Sequence, residues 1–252
     1  MSRVLILQLR PEDEASDAEY RAFLDKGGLD DAQVRRVRME QGALPSDIHL
    51  DDYAAVIVGG GPGCVSDDPA TRDPVEARAE AELLALMPAI LGRDMPFLGC
   101  CYGIGLLTHY LGGEVSKARY GEPVGPVTCT VTDDGRRDPL LEGLPETFDA
   151  LVGHKEAAQS LPPGAVHLVE AGPCPFQMIR AGENVYATQF HPEADGQVFA
   201  DRIRIYRNRG YFAPEEADAL TQTCMSAEIT VPERILQRFV SRFVSSDPGP
   251  RS

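Results

Sequence analysis

Short apolar runs alternate with helix-like segments along the first half of the chain. The runs predict strands and the segments with helical spacing predict helices, several of them ended by glycine. The predicted strands are 4–9, 34–39, 51–58 and 95–99, and the predicted helices are 17–25, 74–91 and 103–111. This alternation indicates an α/β fold with an open, mostly parallel sheet flanked by helices. In such a fold, functional groups gather at the carboxyl ends of the strands.

The second half of the chain has a different pattern of predicted elements. Short strands separated by turns that contain Gly and Pro predict a small antiparallel section, at 124–132, 166–170, 176–180 and 184–190. Helices are predicted over 195–208 and 232–245. The apolar stripe of the last helix is expected to pack on the core, with binding of a partner as the alternative. The sequence therefore predicts a domain over 1–212, followed over 213–252 by a C-terminal helical extension and a mobile tail.

Composition and charge narrow the possible partners. The 252 residues are 43% hydrophobic and 25% charged, which is ordinary globular usage. A net charge of −15 opposes binding to nucleic acid or to an anionic membrane surface. The apolar run near the N-terminus is too short for a secretory signal or a membrane span. Six cysteines, none in a CxxC pair, indicate neither a disulfide scaffold nor a metal site, so we expect a cytoplasmic protein with free thiols.

The segment FLGCCYGIG predicts a strand, a Gly-x-nucleophile-x-Gly turn and a helix in succession. This is the nucleophile-elbow pattern, with cysteine where esterases have serine. Gly99 and Gly103 bracket Cys101 symmetrically, so Cys101 is the candidate nucleophile and Cys100 is the last core residue of the strand. The glycines are expected to avoid collisions in the turn, and the helix N-terminus is expected to lower the pKa of the thiol. The alternative is two buried structural cysteines beside a turn.

A second candidate group follows the strand predicted over 184–190. His191 and Glu193 are two residues apart, so in extended conformation their side chains would lie on the same side of the chain. A carboxylate in that position can orient the imidazole, as nucleophilic catalysis by a thiol requires. A histidine at a strand end can also be a hydrogen-bonded structural residue, but its combination with the elbow cysteine favours catalysis.

The glycine-rich run 59–63 follows the third predicted strand. Unhindered amides at a strand end can point at developing negative charge, as in an oxyanion hole. A phosphate cradle is a weak alternative because the run matches neither GxGxxG nor GxxxxGK[ST], and a flexible turn is the other alternative.

These three motifs, in this order, resemble the triad-type (class I) glutamine amidotransferases. The segments at 153–155, 161–165 and 177–189 are most similar to free-standing relatives of the GMP synthase glutaminase domain. The resemblance covers roughly 4–209. It implies a flavodoxin-like sheet and the cleavage of a side-chain amide, with no cofactor and no metal.

The resemblance also implies roles for individual residues. Cys101 would form a γ-glutamyl thioester, His191 would transfer protons and Glu193 would orient His191. The backbone amides of Gly61 and Tyr102 would hold the oxyanion. Gly60, Gly153 and His154 are the candidate substrate-binding residues, and His154 could equally be a structural histidine.

One position departs from the family pattern. The family elbow continues Cys-x-Gly-x-Gln, whereas here the last position is Gly105, which cannot make the side-chain hydrogen bond to the amino-acid end of the substrate. A γ-glutamyl peptidase or hydrolase that acts on a conjugate is therefore an alternative to a glutaminase. A non-catalytic binding or regulatory subunit is the third possibility. The sequence contains no synthetase motif, so use of the ammonia would need a separate synthetase subunit.

Overall fold

Eleven strands and six α-helices form the regular structure of residues 3–244, the part of the chain that the computed structural model describes. The strands are β1 Val4–Gln8, β2 Val34–Arg38, β3 Ala55–Val58, β4 Phe97–Cys100, β5 Val115–Ser116, β6 Glu122–Val131, β7 Thr147–His154, β8 Ala157–Ala158, β9 Ala165–Ala171, β10 Met178–Ala181 and β11 Val185–Thr188. The helices are α1 Asp13–Gly27, α2 Pro74–Gly92, α3 Tyr102–Tyr110, α4 Gly196–Tyr206, α5 Ala217–Ser226 and α6 Val231–Phe243.

Nine strands form one sheet in the order β2-β1-β3-β4-β11-β10-β9-β6-β7. The strands from β2 to β11 in this order are parallel, and the pairs from β11 to β7 are antiparallel. The short strands β5 and β8 pair separately. The predicted α/β sheet with flanking helices and an antiparallel section is therefore confirmed. The antiparallel section is longer than expected because it includes β7, which the sequence pattern does not predict.

The side chains of β1 alternate between the two faces of the sheet. Val4 and Ile6 belong to the hydrophobic cluster that contains α1 and α6, whereas Leu5 and Leu7 belong to the cluster that contains α2 and α3. Every residue of β1 is buried. Helices on both faces thus explain why the strand reads as one continuous apolar run.

The C-terminal helix α6 packs on the core of the sheet. Ile235, Leu236, Phe239 and Val240 of its apolar stripe are buried in the same cluster as β1. The expectation that this stripe faces the core, rather than a partner, is confirmed. The predicted mobile tail, 245–252, lies outside the described residues.

Several predicted boundaries shift. The third predicted strand, 51–58, begins only at Ala55 because Leu50–Asp52 forms a short 3-10 turn. The strand predicted over 184–190 ends at Thr188. Helix α1 begins at Asp13, earlier than predicted, and α5 has no counterpart among the predicted elements. Within residues 3–244, none of the helices combines the length and the hydrophobicity that a membrane span requires.

Candidate active site

Three adjacent parallel strands end at the same edge of the sheet. The glycine run 59–63 follows β3, Cys101 follows β4, and His191 comes shortly after β11. Because β3, β4 and β11 are neighbours in the sheet, the three motifs meet at their carboxyl ends.

Cys101 lies in a sharp turn between β4 and α3. Its φ of 54° and ψ of −88° are values that residues other than glycine rarely adopt. Its N–H donates a 2.7 Å hydrogen bond to the carbonyl oxygen of Thr188, which joins the turn to β11. A Cβ atom on Gly99 would lie 2.9 Å from the Cα of Gly103, so no side chain fits there. A Cβ on Gly103 would lie no closer than 3.9 Å to its nearest neighbour, Val58 O, so only the first of the two glycines is sterically required.

The two adjacent cysteines occupy different environments. Cys100 is fully buried in the core, whereas Cys101 is partly exposed and lines two cavities. This difference agrees with Cys101 as the candidate nucleophile. Burial raises the pKa of the Cys101 thiol to about 12, and the positive charge of Arg10 acts in the opposite direction. The expected lowering of this pKa is therefore wrong as a net effect, because desolvation of the thiolate outweighs the nearby positive charge.

His191 and Glu193 are hydrogen-bonded to each other. Nδ1 of the ring lies 2.9 Å from Glu193 Oε1, and both side chains are buried. A turn at 192–193, rather than the extended strand that the sequence predicts, brings them together. Burial lowers the pKa of His191, although Glu193 opposes this shift. Burial also disfavours ionisation of Glu193, but His191 and Arg202 hold the pKa of Glu193 well below its usual range. Near neutral pH the pair is therefore a neutral imidazole beside a carboxylate.

A buried ionic network lies behind this pair. Arg202 Nη2 is 2.7 Å from Glu193 Oε1 and 3.7 Å from Glu19 Oε1. Arg10 Nε donates a 2.8 Å hydrogen bond to the same oxygen of Glu19. All four side chains are buried, so the two acids and the two guanidinium groups compensate one another in a poorly solvated place.

No local sequence pattern predicts this network. Glu19 lies on α1 and Arg202 on α4, and no local spacing links them. Arg10 follows β1 closely, at the same edge of the sheet as the glycine run, which is the one signal that could have identified it.

Gly60 lies between the candidate nucleophile and the candidate base. A Cβ atom there would be 2.8 Å from His191 Cε1, 2.9 Å from Arg10 Nη2 and 3.6 Å from Cys101 Cβ. Its N–H donates a 3.2 Å hydrogen bond to Glu19 Oε1. Glycine is required at this position because the three side chains crowd around it.

The two residues whose amides are expected to hold an oxyanion, Gly61 and Tyr102, both line a cavity that Cys101 also lines. Gly61 lines both cavities that Cys101 lines. Tyr102 is the first residue of α3, so its N–H is one of those that have no acceptor within the helix. The Tyr102 hydroxyl donates a 2.8 Å hydrogen bond to Glu80, which anchors the start of α3.

The first cavity is open to solvent, and its lining includes Cys101, Gly105 and Gly153. A Cβ on Gly105 would lie 3.0 Å from Glu156 Oε1. The Glu156 carboxylate accepts hydrogen bonds of 2.8 Å from the backbone N–H groups of residues 65 and 66. This carboxylate therefore occupies space beside the position where the family has a glutamine side chain.

His154 also lines the first cavity, but both of its ring nitrogens have internal partners. Nδ1 lies 2.8 Å from Glu156 O, and Nε2 lies 2.7 Å from Glu122 Oε2, which also accepts a hydrogen bond from Gln177. The structure thus favours the structural role for this ring over direct binding of substrate. Possible ligand atoms of Glu122, His154 and Cys174 lie within 4.8 Å of one another, a spacing that could hold a metal ion. We interpret the cluster as hydrogen-bonded because Nε2 is directed at the Glu122 carboxylate.

A second cavity meets the first at the thiol. It is also open to solvent, and His191 lines this cavity but not the first. Its lining also includes Arg10, Arg202, Tyr206 and Phe212. Cys101 therefore lines two cavities, one of which contains Glu156 and the other Arg10 and Arg202.

Comparison with known proteins identifies related families. The family model described as "Glutamine amidotransferase class-I" matches residues 24–205. A GMP synthase [glutamine-hydrolyzing] of Thermosipho africanus is 35% identical over 180 residues, which are 68% of this chain and 31% of that protein. One from Thermosipho melanesiensis is 33% identical over the same shares of the two chains. The chain thus spans about a third of the length of these curated relatives.

A solved structure shares the fold over nearly the whole chain. The crystal structure of a glutamine amidotransferase from Thermotoga maritima superposes with a TM-score of 0.77. The match covers 98% of this chain and 100% of the other at 19% sequence identity, so it supports the fold alone.

Proposed function

The chain belongs to the class I glutamine amidotransferase family, and from that premise we propose that it cleaves a γ-glutamyl amide through a thioester on Cys101. The observation that carries the proposal is the meeting of a strained elbow cysteine and a hydrogen-bonded His191–Glu193 pair around Gly60. This arrangement supplies a nucleophile, a proton carrier and an orienting acid.

In the first step, Cys101 Sγ attacks the amide carbon while His191 takes the thiol proton. A C–S bond forms, the C–N bond breaks, and His191 returns the proton to the departing nitrogen, which leaves as ammonia when the substrate is glutamine. The raised pKa of Cys101 and the lowered pKa of His191 favour a neutral resting pair, so proton transfer accompanies the attack.

In the second step, His191 activates a water molecule that attacks the thioester carbon. A C–O bond forms, the C–S bond breaks, and the thiol regains its proton as glutamate is released. Glu193 holds the ring and stabilises its charged form, and the amides of Gly61 and Tyr102 stabilise the oxyanion in both steps.

The first cavity is the proposed site for the glutamyl part of the substrate. Gly153 lines this cavity, and Gly60, which does not line it, lies beside the thiol, with its Cβ position 3.6 Å from Cys101 Cβ. His154 supports the wall without offering a free ring nitrogen. No cofactor or metal takes part in the proposed steps.

Two functions are compatible with this chemistry. The relatives are called GMP synthase, so one proposal is that a separate synthetase subunit receives the ammonia in the cytoplasm. A second candidate is a hydrolase of γ-glutamyl conjugates. The Glu156 carboxylate beside Gly105 favours it, because the first cavity lacks the amide that the family uses to hold glutamine. A purely regulatory role is less well supported, because the buried charges and the strained turn are costly features to maintain without catalysis.

Ammonia release from glutamine tests the proposal. The wild-type protein is expected to release ammonia, and Cys101→Ala to lose at least about a thousandfold in rate. Cys129→Ala serves as the control, because this buried thiol lies on β6 and lines neither of the cavities that Cys101 lines. If γ-glutamyl conjugates and glutamine both give no product that depends on Cys101, the proposed function is wrong.

A further inference from the structure

The proposed reaction separates the two cavities by function. The leaving nitrogen must take its proton from His191, and His191 lines the second cavity but not the first. The glutamyl part of the substrate then occupies the first cavity, and the substituent on the amide nitrogen extends into the second cavity. The second cavity opens to solvent, so a leaving amine larger than ammonia has a path outward from His191.

Arg10 places a positively charged group in the wall of the second cavity. Its Nε is paired with Glu19 at 2.8 Å, and its Nη1 lies 3.4 Å from the Tyr206 hydroxyl. Among residues 3–244, its Nη2 has no hydrogen-bond partner, although it lies on the cavity wall beside Gly60. A guanidinium group with unused N–H donors in a partly desolvated cavity is suited to binding a carboxylate.

The distances place this cation where an amino acid would put its carboxylate. The Cβ position of Gly60 is 2.8 Å from His191 Cε1, 2.9 Å from Arg10 Nη2 and 3.6 Å from Cys101 Cβ. The base, the cation and the nucleophile therefore surround one small volume. In an α-amino acid only one carbon separates the nitrogen from the carboxylate, so both groups of a single leaving molecule can be reached there.

We infer that the second cavity binds the leaving group of a γ-glutamyl conjugate, an amino acid or short peptide whose carboxylate pairs with Arg10. The inference rests on the proposed function and narrows it from amides in general to conjugates that carry an anionic amine. Attack by Cys101 breaks the bond between the γ-carbon and the amine nitrogen, His191 protonates that nitrogen, and water then releases glutamate from the thioester. The apolar walls, such as Phe199, Ile203 and Phe212, can hold the side chain of the leaving amino acid.

A pair of matched substrates tests this inference. γ-Glutamylglycine and γ-glutamylmethylamide share the scissile bond and differ by the carboxylate of the leaving amine. The wild-type protein is expected to cleave the glycine compound with a kcat/KM about tenfold to a hundredfold higher. Arg10→Met is expected to bring this ratio close to one, and Arg10→Lys to keep an intermediate ratio. The ratio is the readout because loss of Arg10 also affects Cys101 and Glu19, and those effects are common to both substrates.

A second position keeps the test independent of the buried network. Phe212 lines only the second of the two cavities and is partly exposed. Phe212→Glu is expected to lower the substrate ratio by repelling the carboxylate, whereas Phe212→Gln, of nearly the same shape, is expected to keep it.

The outcomes separate the two proposals. If the wild-type protein cleaves glutamine and both conjugates with similar efficiency, the inference is overturned and the proposed function stands. If Arg10→Met and Phe212→Glu leave a tenfold preference intact, Arg10 is not the carboxylate site and the inference is again overturned. If none of the compounds gives a product that depends on Cys101, both proposals fail.

Discussion

Arg202 Nη2 lies 2.7 Å from Glu193 Oε1, the same oxygen that His191 Nδ1 contacts at 2.9 Å. One carboxylate oxygen therefore joins the candidate base to a buried cation. Burial lowers the pKa of His191, Glu193 raises it, and the positive charges of Arg202 and Arg10 lower it further. The kcat/KM of the wild-type protein is expected to fall in acid as His191 gains a proton, with a midpoint below the ordinary value of about 6.5. A rate that stays flat down to about pH 4 would contradict this account.

Arg202→Met extends the same prediction. Removing a positive charge makes it easier for His191 to bind a proton, so the acid limb of the kcat/KM profile is expected to move to higher pH. Arg202→Lys retains a charge and is expected to move the limb less. If Arg202 only supports the fold, the variants will lower the rate at every pH and leave the midpoint unchanged.

The two glycines of the elbow are expected to differ in their tolerance of a side chain. In Gly99→Ala, the new Cβ would collide with Gly103 Cα at 2.9 Å, which is expected to lower the free energy of unfolding by about 1–3 kcal/mol. In Gly103→Ala, the Cβ has room, and the change is expected to be neutral or stabilising by up to about 1 kcal/mol. Denaturant titration of both variants measures the difference, and the reverse order would show that the turn is built differently.

Restoring the family glutamine is not expected to restore the family pocket. In Gly105→Gln, the new Cβ would lie 3.0 Å from Glu156 Oε1, and the backbone N–H groups of residues 65 and 66 donate hydrogen bonds that hold this carboxylate in place. Crowding this carboxylate is expected to lower kcat/KM for glutamine by about tenfold, comparable to the loss of one charge-assisted hydrogen bond. Adding Glu156→Asp withdraws the carboxylate by one methylene and is expected to recover part of the loss. If Gly105→Gln alone raises the rate, Glu156 does not obstruct this position.

Helix α6 is expected to behave as part of the main core. Phe239 is fully buried beside Tyr186, so Phe239→Ala is expected to reduce the free energy of unfolding by about 3–5 kcal/mol. Arg234→Ala, on the exposed side of the same helix, is expected to change it by no more than about 0.5 kcal/mol. A small effect of the Phe239 change, or a separate unfolding step for the C-terminal segment, would mean that α6 is not part of this core.

Local patterns were enough to predict the groups nearest the proposed chemistry. The spacing around Cys101 and the pair His191 and Glu193 are each contained in a few consecutive residues, and the parallel strands before them end at one edge of the sheet. The predicted partnership of His191 with Glu193 is present, although a turn produces it instead of an extended strand.

The groups that set the charge around the site could not be predicted in this way. Arg10 lies in the loop after β1, Glu19 lies on α1 and Arg202 lies on α4. Only tertiary packing brings these three side chains together next to Glu193. The helix N-terminus is visible in the sequence and predicts a low pKa for Cys101, whereas the burial that raises this pKa is visible only in the fold. The second cavity is lined by residues that are distant in sequence, so local patterns do not predict it either.

Covalent labelling tests the central claim, that Cys101 is the nucleophile, most directly. The protein is treated with a diazoketone analogue of glutamine, and the modified residue is identified by mass spectrometry of its peptides. Cys64 is the internal comparison, because it lines the first cavity with Cys101 but does not line the second cavity, which contains His191. One label per chain is expected, on Cys101, and excess glutamine or γ-glutamylglycine is expected to prevent it. A label on Cys100 or Cys64, or no label under conditions in which the compound reaches the site, would contradict this claim.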